Sequence, residues 1–126
     1  MHKDVIIKLQ IFLFFLFLIQ MESFSSNVTS IICRNIENDS IHTFKIYHNY
    51  KVVNILPNGY EFDYLIESES SDKVKSYFYQ KRKNLLKKFT LLFNLKDNIL
   101  YDEMYEGKDI NNLKLKDRKF FMCKKW

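Results

Sequence analysis

Apolar and polar residues alternate along much of this chain, and a period of two residues predicts β-strands. The clearest case is residues 60–66, in which aromatic and aliphatic side chains alternate mostly with acidic ones. The same alternation surrounds Phe44 and Ile46, and the β-branched pair Val52 and Val53 follows it. One face of each strand is therefore expected to be buried and the other to face water.

Further strands and a turn are predicted from short local signals. Residues 56–59, Leu-Pro-Asn-Gly, form a strong turn signal. The nearly continuous apolar run at residues 89–93 favours a central strand that is covered on both sides. Residues 99–107 favour neither a helix nor a strand. Near the C-terminus we expect two short strands, at residues 113–115 and 119–123, with a turn at residues 117–118 between them.

One segment has the spacing of a helix. Ser71 is a plausible N-cap, and Val74, Tyr77 and Phe78 follow at helical spacing. This predicts a helix over residues 72–83. The expected fold class is therefore α+β: a single small domain, mostly antiparallel sheet with one or two helices, and stapled by one disulfide.

The N-terminus resembles a secretory signal. Two lysines precede an apolar run at residues 11–19, which is short for a membrane-spanning helix. Ser23 and Ser25 offer small residues for cleavage near residue 25. We therefore expect a signal peptide at residues 1–25 and a secreted domain at residues 26–126, with no membrane span after cleavage. The alternative is an uncleaved membrane anchor.

The two cysteines and two glycosylation triplets fit this secretory interpretation. Cys33 and Cys123 lie near the two ends of the mature chain, and an even cysteine count in a secreted protein usually means pairing. Two unpaired thiols or an intermolecular bridge remain the alternatives. Metal binding is not expected, since neither cysteine has ligands at metal-binding spacing. Asn27 and Asn38 begin Asn-x-Ser/Thr triplets and are candidate glycan acceptors.

Charge is segregated along the chain, whose formal net charge is +5. An acidic block at residues 61–72 contrasts with basic blocks, which make the surface attractive to polyanions such as DNA or sulfated glycans. The alternative is that these lysines are solvated strand and helix faces. The candidate polyanion-binding residues are Lys81, Arg82, Lys83, Lys87, Lys88, Lys114, Lys116, Arg118 and Lys119.

Three short motifs resemble the N-terminal part of the secreted deoxyribonuclease II family, which belongs to the phospholipase-D-like superfamily. Cys33 is followed by Thr-Phe-Lys-Ile-Tyr-His at residues 43–48, similar to the family's first strand. Residues 59–64, Gly-Tyr-Glu-Phe-Asp-Tyr, resemble its second strand. Residues 91–95, Leu-Leu-Phe-Asn-Leu, resemble its third.

The resemblance implies a truncated and degenerate member. The family cleaves DNA with two His-x-Lys motifs, and the first should fall at residues 108–112, where Asp109 and Asn111 stand instead. The second half of the family's chain has no counterpart. The histidines are His2, His42 and His48, so none follows residue 48, and the covalent mechanism would lack its nucleophile and its acid.

The function expected from the sequence is therefore binding without catalysis. We expect a secreted protein without a cofactor that binds an extracellular protein or a polyanion. A basic module for nucleic acid or sulfated glycan and an active secreted endonuclease are the alternatives. A homodimer that rebuilds the two-halved fold also stays open.

Overall fold

The computed structural model describes residues 27–126, which form a closed barrel of eight antiparallel strands. The strands are β1 (Val28–Asn35), β2 (Ile41–Tyr47), β3 (Lys51–Ile55), β4 (Glu61–Glu69), β5 (Lys73–Arg82), β6 (Leu85–Asn94), β7 (Ile99–Gly107) and β8 (Lys114–Lys125). Each strand pairs with the next along the chain, and β1 pairs with β8 to complete the circle. Closure pairs the edge strands that an open sheet would expose.

The predicted α+β class is wrong, because residues 27–126 contain no α-helix. A 3₁₀ helix, Ile110–Asn112, lies between β7 and β8. The segment predicted to be helical, residues 72–83, is instead β5. Ser76 and Val74 are buried there at alternate positions, as the two-residue period of a strand requires. Because Ser76 is small and polar, the sequence of β5 does not show the alternation of apolar and polar residues that predicts a strand.

The predicted turn at residues 117–118 is also wrong. The two short strands expected on either side of it are one continuous strand, β8, and the ambiguous segment at residues 99–107 is its partner, β7. The register of this pair shifts between Met104 and Tyr105. A β-bulge of this kind accommodates an extra residue without ending the strand.

Several local predictions are confirmed. Residues 44–47 lie in β2, residues 61–66 in β4 and residues 89–93 in β6. The predicted turn at residues 56–59 closes through a hydrogen bond of 2.9 Å from the Gly59 amide to the Leu56 carbonyl. The three strand motifs that resemble deoxyribonuclease II therefore fall on β2, β4 and β6, which are separated by β3 and β5.

The predicted disulfide is confirmed and fastens the closure of the barrel. Cys33 in β1 lies directly opposite Cys123 in β8, and their sulfurs are bonded. Cys33 is fully buried. The bond therefore links the first and last strands at the place where the sheet meets itself.

The barrel has two different ends. The open end carries the β1–β2, β3–β4, β5–β6 and β7–β8 connections, and the closed end carries the other connections and residues 27 and 126. Buried apolar side chains fill the interior next to the closed end. The core cluster consists of Ile31, Cys33, Phe44, Ile46, Val52, Tyr64, Val74, Leu91, Phe93, Leu100 and Phe121.

Most of the tight turns use residues other than glycine. Asp39, Asn49, Lys83 and Asn98 adopt φ values between 52° and 63°. Asp and Asn adopt this left-handed conformation more readily than most residues, whereas Lys has no such preference. Gly107 is needed for another reason, since a Cβ there would lie 2.1 Å from the Asn112 carbonyl oxygen.

The predicted signal peptide, residues 1–25, lies outside the described residues. Within residues 27–126, no helix has both the length and the apolar character that crossing a membrane requires.

Candidate ligand cavity

The open end of the barrel is hollow. A cavity of about 500 Å³ lies there, inside the range typical of small-molecule sites. Its apolar lining comes from Leu56, Phe62, Tyr64, Phe78, Phe89 and Met104. Its polar lining comes from His42, Asn54, Gln80, Asp102, Asp117 and Lys119.

One wall of the cavity is a stack of phenyl rings on β4, β5 and β6. Phe78 lies parallel to Phe89 at 4.7 Å between ring centroids and parallel to Phe62 at 6.5 Å. Tyr64 meets Phe78 edge to face at 4.8 Å. Because these positions alternate along their strands, the pleat of the sheet directs the side chains inward together.

His42 lies on the opposite side of the cavity, above the core. Its ring stacks on Phe44 and meets Phe121 edge to face, at 6.2 and 5.3 Å between centroids. Nδ1 is 3.4 Å from Oδ1 of Asn54. Burial lowers the pKa of His42 below its ordinary value of 6.5; the hydrogen bond to Asn54 opposes this, and the charge of Lys119 adds to it. His42 is therefore neutral at pH 7.

Asp102 is the buried carboxylate of the cavity. Burial raises its pKa to about 6, while Lys119 lowers it and Asp117 and Glu103 raise it further. Burial also raises the pKa of Tyr64 well above its usual range, and the charge of Asp102 adds to this effect. Asp102 is thus an ionised group at pH 7 in a place that disfavours charge.

The two other charged groups of the cavity lie together at its mouth. Nζ of Lys119 is 4.0 Å from a carboxylate oxygen of Asp117, and both side chains are about half exposed. Water can therefore reach both charges. The cavity as a whole contains two carboxylates and one ammonium group.

Sequence reasoning did not find this group of residues, because closure of the barrel assembles it from strands that are distant along the chain. His42, Asn54, Tyr64 and Asp102 come from four different strands. A weak signal for Asp102 was available: it stands between Leu100 and Met104, so alternation places its carboxylate on the inward face of a strand.

The nine predicted polyanion-binding residues lie on β5, on β6, in the turn between them and on β8. Arg118 binds Glu103, which is only 2% exposed, through Nε and Nη2 at 3.0 and 2.7 Å. Lys119 lines the cavity, and Lys88 lies over the rings of Tyr77 and Tyr79 at 5.5 and 5.6 Å. Lys114 and Lys116 are exposed side chains of β8, and Lys114 lies opposite Glu106 of β7.

The remaining basic candidates lie at or near one hairpin of the open end. Lys81 and Lys83 line a shallow depression of about 380 Å³ together with Asn84 and Lys108. Arg82 is an exposed residue of the same hairpin. Lys87 is 3.9 Å from Glu106. The fold therefore adds Lys108, from the β7–β8 connection, to the basic residues that already stand together in the sequence of the β5–β6 hairpin.

Hydrogen bonds across three segments tie the closed end together. Nε2 of His48 and the Thr29 hydroxyl form a hydrogen bond of 2.7 Å. Nδ1 of the same ring forms a hydrogen bond with the Glu69 carboxylate. Glu69 also accepts a hydrogen bond of 2.7 Å from the Asn49 amide. This arrangement joins β1, the β2–β3 turn and β4.

No group of three or more His, Cys, Asp or Glu side chains within the described range, residues 27–126, could hold a metal ion. No protein-family model, curated protein or solved structure matches this chain significantly, so the resemblance to the deoxyribonuclease II family stays a prediction.

Proposed function

We propose that this chain is a binding protein that holds a small ligand in the open end of its barrel. The observation that carries the proposal is the contrast between the two halves of the interior. Next to the closed end the side chains fill the barrel, whereas the open end holds a cavity of about 500 Å³. An eight-stranded barrel is just wide enough either to be filled by side chains or to hold one small ligand.

The composition of the cavity supports the same proposal. Ligand sites combine apolar walls with a few polar groups that fix the orientation of the ligand. Here the wall of aromatic rings is flanked by Asn54 on β3 and Asp102 on β7, and His42 lies on β2. The rings would contribute affinity through burial, and the polar groups would select among ligands of similar size.

We further propose that the protein acts outside the cell. Its disulfide fits an oxidising compartment. The glycan acceptors predicted at Asn27 and Asn38 are both exposed in the folded chain, and neither lines the cavity. Asn27 lies at the closed end, and Asn38 lies in the β1–β2 connection of the open end.

A bulky side chain inside the cavity is expected to block binding. Met104 lines the cavity, whereas Met122 is 54% exposed on the outer face of β8. We expect Met104→Trp to weaken binding of the neutral fluorescent probe N-phenyl-1-naphthylamine at least tenfold. Met122→Trp, the matched control, is expected to leave binding unchanged. Equal affinity of both variants, each shown by circular dichroism to be folded, would contradict the proposal.

A second candidate function is polyanion binding at the β5–β6 hairpin. It is favoured by the grouping of Lys81, Lys83 and Lys108 around one depression. The lysines that form ion pairs within residues 27–126 are others: Lys51, Lys75, Lys87 and Lys119. Ammonium groups without such pairs are available to phosphate or sulfate groups.

The polyanion proposal predicts retention on heparin that falls steeply between about 50 and 200 mM salt. Reversing charge at the hairpin with Lys81→Glu and Lys83→Glu is expected to abolish retention. The same change at the closed end, Lys73→Glu and Lys124→Glu, keeps the same net charge and is expected to weaken retention only slightly. Equal losses in both double variants would show that net charge alone is responsible and would remove this candidate.

A further inference from the structure

We propose, resting on the proposed function, that the ligand of the cavity is a small organic cation. Its class would be a protonated amine or a quaternary ammonium on an aromatic or short apolar body. The charged nitrogen would lie beside Asp102, and the apolar body would lie against the phenyl rings of the cavity wall.

The charge balance of the cavity is the first argument. Lys119 and Asp117 lie together at the mouth, 4.0 Å apart. Lys119 also lies opposite Asp102 in the β7–β8 register and lowers its pKa, but Asp102 makes no ion pair within 4 Å among residues 27–126. His42 is neutral at pH 7 because burial lowers its pKa. One negative charge inside the cavity is left for a ligand to neutralise.

The cost of keeping Asp102 ionised is the second argument. A buried charge without a partner is expensive, and proteins usually pair such a charge or dispense with it. A cationic ligand would supply the direct ion pair that Lys119 does not make, in a place that water reaches poorly, where the attraction between unlike charges is strong. An uncharged ligand would leave the carboxylate as it is.

The aromatic wall is the third argument. A cation is attracted to the face of an aromatic ring when it lies within about 6 Å of the ring centroid. Phe62, Phe78 and Phe89 lie nearly parallel, with interplanar angles of 8° and 13°. Such a wall also suits a flat aromatic body, which could stack beside the rings.

An anionic ligand fits the same cavity less well. Lys119 would be its natural partner, but that side chain is about half exposed and already lies beside Asp117. An anion would therefore meet two carboxylates for one ammonium group. Like charges held close together disfavour binding.

Three indole compounds with the same body and different charges test the inference. Tryptamine is a cation at pH 7.5, tryptophol is neutral, and indole-3-propionate is an anion. By isothermal titration calorimetry we expect tryptamine to bind at least tenfold more tightly than tryptophol, and indole-3-propionate to bind most weakly. If tryptophol bound as tightly as tryptamine, or more tightly, the inference would be overturned.

The variant Asp102→Asn identifies the group responsible. It removes the charge of the side chain and nearly keeps its shape. We therefore expect the affinity for tryptamine to fall to that for tryptophol, and the affinity for tryptophol to stay unchanged. Asp63→Asn on the outer face of β4, where the side chain is 60% exposed, is the matched control and is expected to change neither. An unchanged preference for tryptamine in Asp102→Asn would overturn the role of this residue.

The two proposals fail in different ways. If tryptophol binds and Met104→Trp blocks it, but tryptamine has no advantage, the cavity binds ligands and the cation inference is wrong. If none of the three compounds binds up to millimolar concentration, both proposals are contradicted.

Discussion

Removal of the disulfide by the double change Cys33→Ala and Cys123→Ala is expected to lower the free energy of unfolding by roughly 4 to 5 kcal/mol. The bond spans 90 residues and restricts the unfolded chain over most of the described sequence. Because β1 and β8 meet at this bond, its removal also frees the pair of strands that closes the barrel. Alanine is chosen because serine would bury a hydroxyl group at position 33.

Urea unfolding of the oxidised protein and of the double variant measures the effect. A small domain has only about 5 to 15 kcal/mol of stability in total, so the variant should unfold at a much lower urea concentration. Reduced wild-type protein is the control and should behave like the variant. A difference of less than about 1 kcal/mol would show that the strand pairing alone holds the barrel closed.

Asp102→Asn is expected to have the opposite effect and to stabilise the protein at pH 7.5 by roughly 3 kcal/mol. Burial raises the pKa of Asp102 from its ordinary 3.8 to about 6. Each pKa unit corresponds to about 1.4 kcal/mol of difference between the two protonation states. The charged carboxylate therefore opposes folding, and asparagine removes this cost.

The effect of Asp102→Asn should depend on pH with a defined sign. Because the pKa is raised on folding, the cost is absent below pH 3.8, grows between pH 3.8 and about 6, and is complete above that. The charged groups that act on Asp102 are Lys119, Asp117 and Glu103, and Tyr64 and His42 line the same cavity. Unfolding at pH 3.5 should show almost no gain, whereas an equal gain at both pH values would contradict the assignment.

A charge that costs stability is informative about function. Residues that serve a site often destabilise the free protein, so their replacement stabilises it and harms its activity. Asp102→Asn is expected to do both, since it should raise the free energy of unfolding and remove the preference for a cation. A purely structural carboxylate would not change the order of affinity among the three indole compounds.

The strands that the sequence predicted well are those in which consecutive inward positions are apolar. In β2, Phe44 and Ile46 face the interior one after the other, and His42 is the polar inward position of this strand. β4 has Tyr64 and Ile66 in the same arrangement, and the Pro57-Asn58-Gly59 turn before it has an unmistakable signal. The cysteine pair was predictable for a different reason, since two cysteines in a chain that is predicted to be exported usually pair.

The strands that the sequence predicted badly contain polar residues at inward positions. Ser76 interrupts the apolar alternation of β5, and Asp117 and Lys119 interrupt that of β8. The β5–β6 turn added to the error, because Lys83 adopts a positive φ where glycine or asparagine would have signalled a hairpin. Local propensity therefore suggested a helix in β5 and a turn in β8.

The cavity itself could not be predicted, and its three charged residues, Asp102, Asp117 and Lys119, lie on the two strands whose sequence pattern was ambiguous or misleading. Whether eight strands stay open or close into a barrel depends on pairing between β1 and β8, which are at opposite ends of the described chain. No local pattern contains that information. Once the barrel is closed, the misleading polar positions of β7 and β8 become the charged lining of one cavity.

The most direct test of the account is a map of where a small ligand binds. Tryptophol, added to protein labelled with nitrogen-15, should shift the backbone amide resonances of Asn54, Tyr64 and Asp102. Those of His48 and Glu69 at the closed end should stay unchanged. Shifts confined to the outer faces of the strands, or equal at both ends, would contradict the claim that the open end of the barrel holds the ligand.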